Sequence, residues 1–251
     1  QAVVFIVFIF MLFFKNHSYI SFNLSDFTFS TDIIWDIIKV GLPASLSMIV
    51  MAVGQGVFNK ILVHISVNTV AAYQVAGRLD MLVFLPIFSI AASLTTLVGM
   101  FYGAKEYGAL RYIIKYGIFS ALLITIISST IVYTFAGHVV RFFTDDASIV
   151  IIAVNFLQIF AFAYPFISVG ITTGRVLQGL GKGLPVLIIT IVRVLGVSAP
   201  LALFFVFIMD KTVEWVWYSM MLSTIVAFGI GLTWLISTLK TLPTSGQSLN
   251  N

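Results

Sequence analysis

The sequence predicts an all-α fold, an integral membrane bundle with six complete transmembrane helices and the end of a preceding one. Hydrophobic residues make up 60% of the 251-residue chain, and charged residues only 9%. Mostly apolar runs of eighteen or more residues recur along it, and each can cross a hydrocarbon core about 30 Å thick. A soluble domain with a large core does not have this composition.

Several kinds of functional site are disfavoured by the same composition. The chain has no cysteine, and His17, His64 and His138 lie far apart with no HExxH spacing, so no metal site is predicted. The glycine-rich GLGKG at residues 179–183 lacks the upstream glycine and the following Ser or Thr of a phosphate-binding loop. Lys and Arg are scattered singly, which does not suggest a nucleic-acid partner. We therefore expect no catalytic residues, no enzyme activity and no cofactor.

The N-terminal part predicts three segments before the first complete span. The apolar run at residues 1–14 lacks the basic leader and cleavage site of a signal peptide and is interpreted as the end of a truncated transmembrane helix. Residues 15–32 are polar and predict a loop. Residues 33–39 interleave isoleucines with Asp36 and Lys39, which predicts an interfacial amphipathic turn anchored by Trp35.

Six apolar runs then predict six spans, which together form a lobe over residues 33–240. A polar tail at 241–251 is expected to be disordered. Four prolines fall inside the spans, and we expect helix bends there because a proline removes one helical hydrogen bond. The spans are predicted at 40–65, 71–104, 117–135, 149–178, 184–208 and 215–239. The prolines are Pro43, Pro86, Pro165 and Pro200.

The connections carry recognisable start and stop signals. Asp146 or Ser148 is suited to cap the span at 149–178. The sequence QGLGKGLP predicts a tight turn, and Pro185 suits the first turn of the next helix, where its missing N–H is not needed.

Positive charges are distributed unequally between the two sets of loops and span ends. The richer side is expected to be cytoplasmic, so both ends of the chain are predicted to lie in the cytoplasm of a multi-pass protein of the cell membrane. One side carries Lys15, Lys39, Lys105, Arg111, Lys115, Arg175, Lys182 and Lys240. The other carries Lys60, Arg141 and Lys211.

The span at 71–104 contains Gln74, Arg78 and Asp80 in its first third. Ionisable groups at this depth usually face a bundle interior or a watery cavity. Gln74 and Arg78 share a helix face, whereas Asp80 points to nearly the opposite side and needs a partner from another helix. Arg193 is the other basic residue at comparable depth and is our candidate for a structural charge pair. Asp80 either faces a transport path or joins helices, and both interpretations stay open.

Neutral amides in neighbouring spans are weaker candidates for a transport path. Each alone is more often explained by a hydrogen bond to an adjacent helix, for about 1 kcal/mol or less. Their clustering favours a polar cavity. These amides are Gln55, Asn59, Asn155 and Gln158.

Two stretches carry a resemblance to a known family. The helix AAYQVAGRLDMLVFLPIFSIAASLTTLVGMFYGAKEYGA, from residue 71, resembles the eighth helix of multidrug and toxic compound extrusion (MATE) transporters. The segment VLQGLGKGLPVLIITIVRVLGVSAPLAL, from residue 176, looks like the family's turn between its tenth and eleventh helices. With the GLP at 41–43, the resemblance covers about residues 33–240.

The resemblance implies that this chain is the second of two pseudo-symmetric six-helix lobes in a twelve-helix transporter. Its implied partners are the missing N-terminal lobe, the lipid bilayer and a small organic cation or amphipathic substrate, exported in exchange for protons or sodium by alternating access. One subgroup carries coupling acids in its seventh and tenth helices. The corresponding spans here have none, and Met51 lies where the first acid is expected, which implies a coupling carboxylate in the other lobe. The alternatives are a lipid-linked oligosaccharide flippase of the same superfamily and a non-transporting membrane scaffold.

Overall fold

The computed structural model describes residues 30–243, together with residues 3, 5–7, 10 and 11. The chain divides into two units, Gln1–Trp35 and Asp36–Asn251. In the described part there are no β-strands, and six helices are long and apolar enough to cross a membrane, which confirms the predicted fold class. The six helices are α1 (Thr31–Ile65), α2 (Val67–Gly103), α3 (Tyr107–Arg141), α4 (Ala147–Gly179), α5 (Leu184–Ile208) and α6 (Glu214–Lys240).

Most helices extend past the predicted spans because hydropathy marks only the part of a helix that lies in hydrocarbon. Residues 33–39, for which an interfacial amphipathic turn is predicted, belong to α1, which begins at Thr31. Their position at a membrane interface stays a prediction. Helix α3 likewise includes the polar flanks on both sides of the predicted span at 117–135. Residues 15–29 of the loop predicted at 15–32, and residues 244–251 of the tail predicted at 241–251, lie outside the described residues. Thr31 and Asp32, at the end of the predicted loop, belong to α1.

Side-chain caps begin two of the helices. The Ser66 hydroxyl accepts a hydrogen bond from the backbone N–H of Asn68 at 3.1 Å and starts α2. The Asp146 carboxylate accepts from the backbone N–H of Ser148 at 2.8 Å and of Ile149 at 3.4 Å, so Asp146 caps α4. The carboxylate also accepts a hydrogen bond from the Ser148 hydroxyl. These bonds stabilise the ionised carboxylate and lower the pKa of Asp146, and the bond from the hydroxyl has the largest effect.

The glycine-rich turn between α4 and α5 forms as predicted. Gly181 has φ +76°, a left-handed conformation that a residue with a Cβ rarely adopts. Pro185 lies in the first turn of α5. A Cβ at Gly183 would lie 2.7 Å from the Val40 carbonyl oxygen, so glycine permits close approach of this turn to α1.

The interior of α5 departs from regular α-helix. Residues Val192–Ser198 and Phe204–Ile208 are π-helical, and short α-helical segments flank the first of them. Pro200 follows the first π-helical segment. A proline clashes with the carbonyl group four residues earlier, and a widened turn at that point relieves the clash. Pro43, Pro86 and Pro165 lie inside α1, α2 and α4.

Helix α4 lies at the centre of the packing, with its most extensive contacts to α2 and α3 and further ones to α6. At its end, a Cβ on Gly179 would lie only 2.7 Å from the Thr95 carbonyl oxygen of α2. Helix α1 packs less extensively than the other five. It approaches α5 closely at Gly54, where a Cβ would lie 2.2 Å from a methyl group of Val194.

A second contact joins α3 to the end of α6. The Arg111 guanidinium donates to the carbonyl oxygens of Leu239 at 3.1 Å and Leu242 at 2.9 Å. The last carbonyls of a helix have no partner within it, so Arg111 supplies donors for this terminus.

Candidate functional site

A cavity of about 510 Å³ lies among α1, α2, α4, α5 and α6. Polar groups in its lining include Gln55, Tyr73, Asp80 and Arg193. The helices contribute these groups from positions far apart in sequence, so the cavity exists only when five helices pack. Gln55, Asp80 and Arg193 were predicted from sequence, and the fold brings all three to this one cavity.

Asp80 has a hydrogen-bond partner on α4. The Tyr164 hydroxyl donates to the Asp80 carboxylate, and the Tyr164 side chain is fully buried. Its ring is held edge-on by Phe84 of α2, with centroids 5.4 Å apart, and by Phe160 one turn earlier on α4, at 6.4 Å. These contacts fix the hydroxyl toward Asp80.

Sequence reasoning missed Tyr164. It precedes Pro165 in an apolar run, and nothing in the local pattern separates it from an aromatic residue that faces lipid. A tyrosine deep in a span is nevertheless a hydrogen-bond donor that needs a partner when buried, and that signal could have been used.

The predicted charge pair between Asp80 and Arg193 was wrong for the described residues, because no ion pair joins them. Helix α2 packs directly on α4 but has no extensive contact with α5. The hydrogen-bond donor to Asp80 is Tyr164 on α4. The Arg193 guanidinium forms no hydrogen bond or ion pair with any described residue, so both charges face the cavity without neutralising each other directly.

Aromatic rings and methionines form much of the remaining wall. Tyr73 stacks on Trp217 with centroids 5.8 Å apart, and its ring meets Phe156 edge-on at 5.7 Å. Phe156 in turn stacks on Phe160 at 4.1 Å. Met48, Met51 and Met220 contribute flexible thioether side chains.

The other polar residues of α1 and α2 lie outside this cavity. The Gln74 amide donates to the Asn59 amide oxygen at 3.5 Å, a long contact between the two helices. Gln74 and Arg78 are exposed on the side of α2 away from Asp80, as the helical spacing predicts. Whether they line a transport path stays a prediction.

Asn155 and Gln158 lie in a different place. They line a groove of about 530 Å³ between α3 and α4, together with His138 and Arg141. The groove and the cavity share no lining residue. The structure therefore separates two of the predicted amides from Asp80.

The cavity chemistry suits an amphipathic guest. A carboxylate attracts a cation, aromatic faces add cation–π attraction, and methionines adapt to different apolar shapes. The profile of a protein family described as MatE matches residues 43–204, which is well over half of the chain. The chain belongs to the MatE family.

Two curated relatives carry multidrug names. This MatE chain is 28% identical over 167 residues to the probable multidrug resistance protein NorM of Thermotoga maritima, covering 66% of this chain and 36% of that protein. It is 27% identical over 177 residues to the multidrug export protein MepA of Staphylococcus aureus, covering 70% and 39%. The chain thus spans well under half the length of these relatives.

Solved structures share the fold over nearly the whole chain. A MATE protein crystallised in a bent conformation is 30% identical with a TM-score of 0.87, covering 96% of this chain and 53% of that one. A superfamily transporter from Pyrococcus furiosus, described as having a binding pocket of reverse polarity that suggests a different function, is also 30% identical with a TM-score of 0.87, covering 97% and 55%. The MatE chain is thus a multi-pass membrane protein that corresponds to about half of such a transporter.

Proposed function

We propose that this chain is one lobe of a secondary active multidrug antiporter of the plasma membrane. The intact transporter exports organic cations or amphipathic compounds in exchange for protons or sodium by alternating access. The observation that carries the proposal is the Asp80 carboxylate, held by Tyr164 in a cavity whose lining also includes aromatic and methionine side chains and the Arg193 guanidinium. A second six-helix lobe would complete the transport path.

Asp80 is the group that we propose binds the cationic substrate or the coupling ion. Arg193 does not form an ion pair with Asp80, so the Asp80 carboxylate can pair with a bound cation. One carboxylate and one hydroxyl provide far fewer oxygen ligands than a bare metal cation normally collects. Exchange of a proton for a cationic substrate is the simpler use of this pair.

The cavity offers less support for the flippase alternative. A lipid-linked pyrophosphate needs several cationic groups, and Arg193 is the one basic residue in the cavity lining of the described chain. A non-transporting scaffold has no need of a charged cavity, which costs stability in a membrane.

Efflux measurements with an Asp80→Asn variant test the proposal. The full-length transporter is expressed in cells, and the efflux of a cationic dye is followed under an imposed proton or sodium gradient. We expect Asp80→Asn to reduce efflux at least tenfold while thermal stability in detergent changes little. Asp145→Asn removes an exposed carboxylate outside the cavity and should leave efflux unchanged. Normal efflux by Asp80→Asn would refute the assigned role.

The orientation is a separate part of the proposal. The charge distribution supports cytoplasmic placement of both chain ends. Because residues 1–251 contain no cysteine, a single introduced cysteine is the only thiol in this part of the transporter, and labelling of the unaltered protein gives the background. A cysteine in the α4–α5 turn should be protected from an impermeant thiol reagent in intact cells, and one in the α3–α4 connection should react. The reverse pattern would overturn the topology.

A further inference from the structure

We propose that the groove between α3 and α4 is a binding site for the headgroup of an anionic phospholipid. It shares no lining residue with the cavity, and its lining contains basic side chains and no acidic one, whereas the cavity has one of each. His138 and Arg141 lie in the last turn of α3, and both side chains are exposed. Neither forms an ion pair or a hydrogen bond with a described residue, so the groove presents unneutralised basic groups.

The depth of the groove matches the layer structure of a bilayer. Helix α4 has 33 residues and is about 50 Å long. Centred in a bilayer, it extends about 10 Å beyond the hydrocarbon core at each end. Arg141 and His138 then lie at the level of the headgroups, where a lipid phosphate is found.

The two amides lie deeper in the same groove. Asn155 is about 12 Å and Gln158 about 16 Å from the start of α4, just inside the hydrocarbon boundary. Gln158 is exposed, and its amide N–H groups have no hydrogen-bond partner among the described residues. Unsatisfied amides are costly there, and the ester and glycerol oxygens of a phospholipid lie at this depth as acceptors for an amide N–H.

The apolar wall and the nearby acids are consistent with this occupant. Val150, Ile151 and Val154 also line the groove, and Ile151 is 70% exposed, which offers a surface for an acyl chain. Two carboxylates lie on the connection between α3 and α4. That of Asp146 caps α4, and Asp145 is exposed and does not line the groove. A molecule with one phosphate and an apolar tail therefore matches the groove, with the phosphate near His138 and Arg141 and the tail against the apolar residues.

Native mass spectrometry of the purified protein tests this inference. The probes are phosphatidylglycerol and phosphatidylcholine with identical acyl chains, supplied at equal concentration, and glycerol phosphate as the soluble headgroup. We expect tighter binding of phosphatidylglycerol, and an Arg141→Gln variant should weaken that binding about fivefold, the effect of one basic residue at an anionic membrane surface. Arg141→Lys should retain most of the binding.

Lys211→Gln is the matched control, because it removes an exposed basic residue from the α5–α6 connection, away from the groove. It should leave the lipid preference unchanged. Equal binding of the two lipids by the unaltered protein, or equal losses in Arg141→Gln and Lys211→Gln, would overturn the proposal. Displacement of the lipid by glycerol phosphate at the same concentration would assign the groove to a soluble anion and would also overturn it.

Discussion

The hydrogen bond between Tyr164 and Asp80 should contribute measurably to the stability of the bundle. Tyr164→Phe removes the hydroxyl and leaves the ring in place. Removing one partner of a hydrogen bond, so that the other is left buried and unsatisfied, costs about 1 to 3 kcal/mol in the free energy of unfolding. Because Tyr164 is fully buried, loss of Asp80 would also leave its hydroxyl without water. Each single substitution should therefore cost about 1 kcal/mol or more.

A double-mutant cycle isolates this interaction. The variants are Tyr164→Phe, Asp80→Ala and the double substitution, with unfolding in mixed micelles followed by circular dichroism during titration with a denaturing detergent. The packing lost in Asp80→Ala cancels in the cycle, so the coupling energy reports the hydrogen bond. We expect a coupling energy of about 1 kcal/mol or more.

Tyr133→Phe is the matched control, because Tyr133 is exposed and its hydroxyl makes no hydrogen bond to a described residue. It should change stability by less than about 0.5 kcal/mol. A coupling energy between Tyr164 and Asp80 below about 0.5 kcal/mol would refute the reasoning. Asp80 would then be held by water or by another group.

Three further substitutions test other parts of the fold. Arg111→Ala removes donors to two carbonyls at the end of α6 and should lower the free energy of unfolding by about 1 to 3 kcal/mol, while Lys115→Ala should not. Gly179→Ala should destabilise by about 1 to 3 kcal/mol, because its Cβ would meet a backbone oxygen at 2.7 Å, whereas Gly170→Ala on the same helix has open space and should stabilise slightly. Asp146 has a lowered pKa in the folded protein, so the ionised carboxylate stabilises the fold. This stabilisation is present above the unfolded-state pKa of about 4 and is lost as pH falls through the folded-state pKa. In Asp146→Asn, the melting temperature should therefore depend less on pH between pH 5 and about pH 2. The first prediction is contradicted if Arg111→Ala and Lys115→Ala lose equal stability, and the second if Gly179→Ala and Gly170→Ala have equal effects. The third is contradicted if Asp146→Asn leaves the pH profile of stability unchanged.

The sequence alone determined the local features of this protein. Six spans follow from hydropathy, because every apolar run must satisfy its backbone hydrogen bonds within one helix. The cap at Asp146 and the turn at Gly181 depend on residues within a few positions of each other. The depth of Asp80 follows from its position in an apolar run. These predictions needed no knowledge of which helices are neighbours.

The tertiary structure decided which polar residues share a site. Tyr164 lies 84 residues from Asp80, and no local pattern pairs them. Asn155 and Gln158 carry the same chemistry as Gln55, yet they face another groove because α4 presents one side to α2 and another to α3. The hydropathy of a segment shows which residues lie in the membrane. It indicates the rotation of the helix about its own axis only weakly, because lipid and the protein interior are equally apolar. Packing such as the approach of Gly54 to Val194 sets that rotation, and with it the residues that face the cavity.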